Sequence, residues 1–320
     1  MRRDGIEAVG ASTPVGADQI VDSFCTNNEV ADIYTLQVGK DGEERLNILN
    51  ELYNSLTEKF LERVGIRSKT SILDVACGTG EISCWMAQQI SGKVVAIDIS
   101  EKQLEIAERR AKSLGLKNIE FVKLSAFDLA QLDQMFDLIY CRFLLVHIQN
   151  PDRVLELMYN CLSEDGVLAC EEATASVSFC YPPSPAFDKW LALWAALRKA
   201  NGTDLDLGLK LPQMFREAKF LDVATHLVQP VLGNSREKSV LRLNTIETTK
   251  AAVKIGFDTE EGMQCLAEDL GQLEQSDHLI GYVRNSQVCG YKMYGLFAQD
   301  SHPETSEKQA ASQLHIKSKL

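Results

Sequence analysis

The sequence predicts an α/β fold: a doubly wound, mostly parallel sheet covered by helices on both faces. Three observations predict it. Five short apolar runs recur between residues 71 and 170, bounded by turn or capping residues. Stretches of helical periodicity separate them, and right-handed crossovers then wind the sheet in both directions. The chain has 320 residues, 45% hydrophobic and 24% charged, which is ordinary globular composition and enough to bury a core. That length fits two domains, or one domain with a large insertion.

Residues 1–33 show no sustained period and read as a lead-in. From Arg45 a helical stripe begins with Leu46, Ile48, Leu49, Leu52, Leu56 and Phe60. Residues 71–76 form the first buried strand, and Gly78 and Gly80 punctuate its end before a helix over 81–90. Residues 93–98 make a second strand. Ser100 with Gln103 three residues on is a capping box, and Gly115 suits the end of that helix. Strands follow at 119–124 and 136–140. Asn150 before Pro151 marks another helix start, and 166–170 is the fifth strand. After the Pro-rich cluster at 181–185 the rhythm changes. A helix carries Trp190, Leu193, Trp194 and Leu197, another covers 209–219, and strands are expected at 221–232 and 287–298. Between these two strands, 236–285 has helical pattern and is too long for a loop, so it reads as an inserted helical cap. Residues 299–320 are polar and aperiodic, as in a disordered tail.

The formal net charge is −12, which weighs against nucleic acid and anionic membrane surfaces as partners. No apolar run reaches spanning length, because Asp137, Arg142 and His147 interrupt the greasiest region. No apolar core follows Met1-Arg2-Arg3, so no secretory signal is expected. The cysteines number nine and no C-x-x-C pair occurs, which points to reduced thiols rather than a disulfide framework or a metal site. The expected location is cytoplasmic. In a eukaryote, the terminal Ser318-Lys319-Leu320 would read as a peroxisomal address.

The chemistry gathers at Asp74-Val75-Ala76-Cys77-Gly78-Thr79-Gly80, where a strand ends and a helix starts. In open α/β sheets ligands bind at such carboxyl ends. Bare glycines admit a ligand to the backbone. Asp98, at the end of the second strand, can accept both hydroxyls of a ribose. A dinucleotide fingerprint would need a third glycine, and Ser83 stands at that place. Asp74 and Glu81 would repel a pyrophosphate. They would suit S-adenosylmethionine, which carries an ammonium and a sulfonium but no phosphate.

On these residues the sequence resembles the class I S-adenosylmethionine-dependent methyltransferases. Further motifs carry the likeness: Val94-Val95-Ala96-Ile97-Asp98-Ile99-Ser100, Phe136-Asp137-Leu138-Ile139-Tyr140 and Leu162-Ser163-Glu164-Asp165-Gly166-Val167-Leu168. The resemblance runs over about 34–230 and again 287–298. It implies a seven-stranded, mostly parallel Rossmann-like sheet, with a methyltransferase domain over 34–298 and the cap at about 236–285. It implies that Ala76, Cys77, Gly78 and Gly80 cradle the cofactor, that Asp74 helps hold its amino-acid end, and that Asp98 takes the ribose. Ile99 and Gln103 would pack on the adenine, with Ser125, Ala126 and Phe127 at its edge. Cys141 and Arg142 would line the floor near the methyl group. Tyr34 would close over the cofactor, and Arg45 would reach its carboxylate. Two departures stand out. Ala76 replaces the first glycine of the motif, and Ser125 stands where the family often has an acid.

For catalysis, His147 is either a general base for a hydroxyl nucleophile or a loop-ordering histidine. Glu172 is a base or amine-holding candidate beside Glu171, or both are solvated strand-end acids. Alternation sends the two to opposite faces. Trp190 and Trp194 either stack an aromatic substrate or belong to the core. Cys77 is a packing residue rather than a nucleophile. The expected reaction is methyl transfer to O, N or C of a small, partly apolar molecule by a monomer or homodimer. The alternatives are a protein or RNA methyltransferase, a non-catalytic binding or scaffold protein and, more weakly, a nicotinamide-dependent oxidoreductase.

Overall fold

The computed structural model describes residues 40–292. Tyr34, the 1–33 lead-in, the 299–320 tail and Ser318-Lys319-Leu320 lie outside the described residues. The chain runs α1 (Lys40–Val64), β1 (Ser71–Val75), α2 (Glu81–Gln89), β2 (Lys93–Asp98), α3 (Glu101–Ser113), β3 (Ile119–Lys123) and β4 (Phe136–Arg142). A short 3₁₀ turn (Leu145–His147) follows, then α4 (Pro151–Cys161), β5 (Leu162–Thr174), β6 (Phe179–Tyr181), α5 (Pro185–Ala200) and α6 (Leu207–Glu217). The last elements are β7 (Leu221–Val228), β8 (Val231–Leu232), α7 (Ser235–Lys254), α8 (Glu260–Glu274), β9 (Leu279–Gly281) and β10 (Arg284–Tyr291).

Seven strands form one sheet in the order β3-β2-β1-β4-β5-β10-β7. β1 to β5 run parallel, while β10 is antiparallel to both neighbours, so the sheet is mostly parallel as expected. The continuous apolar runs follow from two-sided burial. Leu73, Val75, Ile139, Cys141 and Leu168 face α4 and α6. Ile72, Val94, Leu138, Tyr140 and Ala169 face α1 and α2. At the point where the strand order reverses, β1 lies between β2 and β4. The carboxyl edge opens there, which is where such sheets bind ligands.

Local chemistry sets several boundaries. Ser100 accepts from the Gln103 N–H at 3.4 Å and caps α3. Asn150 makes no side-chain cap, and α4 starts on Pro151 instead. A full capping box that the pattern reading missed sits at Asn234 and Glu237 and opens α7. The strand expected over 221–232 breaks at Gln229-Pro230 into β7 and β8, which enter different sheets. Proline has no N–H to give a ladder. The last strand, expected over 287–298, spans Arg284–Tyr291, and residues beyond 292 lie outside the described region.

The helical layer is broader than the 236–285 insertion. One apolar cluster joins Ile48 and Tyr53 of α1, Trp190, Leu193 and Leu197 of α5, Val240 and Leu241 of α7, and Met263, Leu266 and Leu270 of α8. The small antiparallel sheet β6-β9-β8 closes its side. Three separate chain segments therefore build the layer. α1 spans both layers, because Phe60 and Leu61 near its end pack on the sheet.

Candidate functional site

The turn after β1 carries three positive φ values in five residues: Ala76 at 63°, Gly78 at 56° and Gly80 at 72°. Each is left-handed backbone that favours glycine. At Gly80 a Cβ would stand 2.6 Å from the Ala107 Cβ, so only glycine lets α2 approach α3 there. Ala76 takes the same backbone with a methyl group attached, a small strain at the mouth of the site.

Asp98 faces this turn. Its Oδ2 accepts from the Gly78 N–H at 3.0 Å and its Oδ1 from the Ser100 N–H at 2.8 Å. Burial raises its pKa, and the Ser100, Gly78 and Ile99 backbone N–H groups oppose that rise. Each oxygen keeps a lone pair, so both can accept again, as a ribose requires. Leu124 N–H bonds the Asp98 carbonyl at 3.1 Å and brings residues 125–127 beside it. Ile99 is 55% exposed and Phe127 45% exposed. Two large apolar side chains left in water near this carboxylate suit a flat base. Gln103 lies against Gly78, and Ala126 is buried. The Ser125 oxygen already accepts from the Phe127 N–H at 3.2 Å, so its use for adenine competes with its own turn.

Asp74 is buried, and Ser83 donates to its Oδ2 at 2.5 Å. Burial pushes its pKa up to about 7, opposed by the Ser83 hydroxyl and by Arg142. Glu81, expected to face an ammonium, is occupied. Arg110 pairs with it at 2.7 Å and Asn54 donates to it at 2.8 Å. Asn54 in turn accepts from Arg142 at 3.0 Å, and Thr57 accepts from Arg142 at 2.9 Å. Helix α1 is thereby latched over the end of β4.

Several predicted roles change. Arg45 is turned to the helical layer, where Glu247 pairs with it at 2.5 Å, rather than standing free for a carboxylate. Cys141 does not line a floor. Strand alternation buries its sulfur on the opposite face from Arg142, 3.3 Å from the Cys170 sulfur. Cys77 is a partly buried thiol whose pKa burial drives far up, so it is no nucleophile. Glu171 and Glu172 are not solvated strand-end acids, since both are 0% exposed. Glu171 accepts from the Tyr140 hydroxyl at 2.8 Å and from the Asn285 and Gln287 amides at 3.0 and 2.9 Å. Glu172 accepts from the Leu144, Leu145 and Val146 N–H groups at 3.0, 2.7 and 3.1 Å. Burial still raises its pKa to about 8. Its work is to hold the loop after β4, which leaves it poorly placed as a base.

His147 is held as well. Arg198 of α5 lies 2.6 Å from its Nδ1. Burial first, then that guanidinium, keeps the ring well below its usual pKa and hence neutral. An arginine can only donate, so Nδ1 accepts and the ring proton sits on Nε2. That tautomer is not a ready base at Nε2.

Pattern reading missed Phe143. Its φ of 54° is strained for an aromatic residue, and it follows Arg142 at the carboxyl edge. The ring packs edge-on against Tyr53 at 5.1 Å, and Tyr53, Tyr282, Trp190 and Phe187 continue an aromatic row under the cap. Trp190 belongs to that core, while Trp194 stays partly exposed. The only sequence signal for Phe143 was its place just past a strand end.

The comparisons agree with this geometry. Residues 66–218 match a methyltransferase domain family. A demethylmenaquinone methyltransferase of Lactobacillus johnsonii is 26% identical over 186 residues, covering 56% of this chain and 73% of that one. The methyltransferase GfsG of Streptomyces halstedii is 32% identical over 122 residues, but the chain spans only 44% of its length. In fold, the YcgJ protein of Bacillus subtilis superposes with a TM-score of 0.51 at 17% identity, covering 74% of this chain and all of that one. A glycine turn, a ribose-ready Asp98 and acids in place of phosphate-binding groups fit S-adenosylmethionine, and over residues 66–218 the chain carries a methyltransferase domain of the class I S-adenosylmethionine-dependent kind.

Proposed function

We propose that the protein methylates a small, partly apolar molecule enclosed between the carboxyl edge of the sheet and the helical layer. The observation that carries this reading is the aromatic row that starts at Phe143, just past the end of β4, and runs through Tyr53 and Tyr282 to Trp190. An enclosed aromatic wall suits a flat or greasy acceptor better than a polymer, and the −12 net charge disfavours RNA. One relative named above is a demethylmenaquinone methyltransferase, which supports a small-molecule acceptor.

When bound, S-adenosylmethionine supplies a methyl group on a sulfonium that a nucleophile can displace in line. The chain's own residues do the rest. Asp98 and the turn at 76–80 fix the cofactor's sugar end. Asp74 and Arg142 set the charge near its amino-acid end. Arg142 ties α1 down over β4, and α1 with α5 excludes water. With His147 and Glu172 both committed to the loop after β4, the reading favours catalysis by alignment over a strong general base. A second reading, protein or RNA methylation, has no supporting observation in the described residues.

The test is labelled-methyl transfer with a panel of quinols, phenols, amines, tRNA and a peptide library. The reading expects turnover on an apolar small molecule only. Turnover on tRNA or peptide with none on the small molecules overturns it.

A further inference from the structure

Helix α5 ends against the loop after β4 and carries three enclosed donors without a partner among the described residues, at Trp190, Trp194 and Arg198, of which the last two adjoin. The Arg198 guanidinium is 8% exposed, and its Nε–H has no hydrogen-bond partner among the described residues. One turn earlier, the Trp194 indole N–H is also enclosed and without a partner. The two side chains stack, with the guanidinium carbon 5.3 Å from the Trp194 ring centre. Arg198 makes no ion pair among the described residues. Its polar neighbours are His147, at 2.6 Å, and Glu172, which acts on it only through space. Glu172 does not serve as the missing acceptor: its carboxylate is turned to three backbone N–H groups, and no hydrogen bond joins it to Arg198. A buried donor without an acceptor loses its hydration without replacement, and the loss is greater when the donor is charged. Two adjacent ones, at the end of an aromatic row, call for an acceptor from outside the chain.

We infer that Trp194 and Arg198 form the seat for an oxygen of the methyl acceptor, so that the substrate is a planar, oxygen-bearing molecule of the enol, phenol or quinol class. This rests on the small-molecule reading above and names the substrate class for the same site. Trp194 is the partly exposed member of the pair, so its ring is the one that moves off the guanidinium to admit the ligand. The ring system of the substrate lies toward Phe143 and Tyr53. Its oxygen accepts from Nε of Arg198 and Nε1 of Trp194. Burial lowers the guanidinium pKa to about 10, so it stays charged at neutral pH and favours an ionised oxygen. His147, accepting from Nη1, aims the guanidinium and acts as a positioning residue.

The test titrates two probes into the protein saturated with S-adenosylhomocysteine: the hydroxynaphthoquinone anion, and methylnaphthalene, which has the same rings without oxygen. Wild type should bind the anion roughly tenfold more tightly or better, as expected for hydrogen bonds to a charged group. Trp194→Phe keeps the ring and loses only the N–H. It should weaken the anion about fivefold to tenfold and leave methylnaphthalene unchanged. Arg198→Lys keeps the charge and loses the Nε–H, and should do the same or more. Neither should change the affinity for S-adenosylhomocysteine, which reports an intact fold. Equal binding of both probes by wild type sinks the oxygen seat and leaves the small-molecule reading standing. So does wild-type behaviour of both variants. Failure of both probes to bind overturns the two together.

Discussion

The turn after β1 and the helical layer hold their residues in opposite ways. In the turn each position is fixed by a single local condition: a positive φ at Gly80, one N–H to Asp98, one hydroxyl to Asp74. In the layer, many apolar side chains share the burial, and polar contacts on its outside include ion pairs between exposed side chains. Substitutions should therefore act sharply in the first region and softly in the second. The turn tolerates few residue types per position, which makes it readable in a sequence. The layer tolerates many, which lets it change with the substrate.

Gly80→Val should have the largest effect. Its Cβ would meet the Ala107 Cβ at 2.6 Å on left-handed backbone, costing about 3 kcal/mol or more. Urea unfolding would read it. A loss below about 1 kcal/mol would mean the turn bends freely and the contrast fails. Next is Asp98→Ala. Removing two charge-assisted acceptors should weaken S-adenosylhomocysteine roughly a hundredfold in calorimetric titration, with the fold retained. Undiminished affinity would remove Asp98 from the site.

Burial raises Glu172 from 4.5 to about 8 and Asp74 from 3.8 to about 7. The folded state then holds protons that the unfolded chain has released. The stability from this source is complete below pH about 4 and is lost as pH rises through about 7 and then 8, on the order of 2 kcal/mol or more. The melting temperature should accordingly fall between pH 6 and pH 8.5, as an order-of-magnitude window from the same linkage. Glu172→Gln should flatten the upper part of that fall. A melting temperature that climbs over the window would show the carboxylates ionised in the native state.

Ala76→Gly should stabilise by about 1 kcal/mol, since φ of 63° strains alanine and suits glycine. Thermal melts would detect it, and a destabilised variant would show that the Ala76 methyl group packs usefully. The smallest effect belongs to the layer. Arg236 pairs with Glu44 and Glu51 on an exposed surface, and Arg236→Ala should lower the melting temperature least of these variants, by an amount that shrinks with added salt. A loss as large as that of Gly80→Val would erase the distinction between the two regions.

The same difference decides what could be read from the sequence. Ile72-Leu73-Asp74 and Val94 to Asp98 announced their strands because two-sided burial leaves an unbroken apolar run. Gly78, Gly80 and Asp98 were legible because their chemistry admits few alternatives. β6, β8 and β9 were not, being two or three residues long, too short for any period to show. The membership of α1 and α5 in the layer depends on pairings between distant segments, which no local window contains. Glu172 looked like a base because its partners, the N–H groups of 144–146, are backbone and leave no trace in residue types. Cys141 and Arg142 were treated alike although strand alternation separates them, an error the period of two could have prevented.

Helix α1 has a consequence for how the chain assembles during synthesis. Tyr53 donates to the Val283 carbonyl, Arg63 to Gln287, and Gln287 to the Leu56 carbonyl, across 230, 224 and 231 residues. The ribosome releases this helix long before it releases β10. Until then Phe60, Leu61 and Tyr53 lack the last strand they pack toward, and that apolar stripe is open to chaperones and to other nascent chains. Such distant partners make loop closure the slow part of folding. Helix α1 is therefore completed only when β10 arrives, and a ribosome stalled before residue 284 would hold a sheet on which α1 has no permanent place.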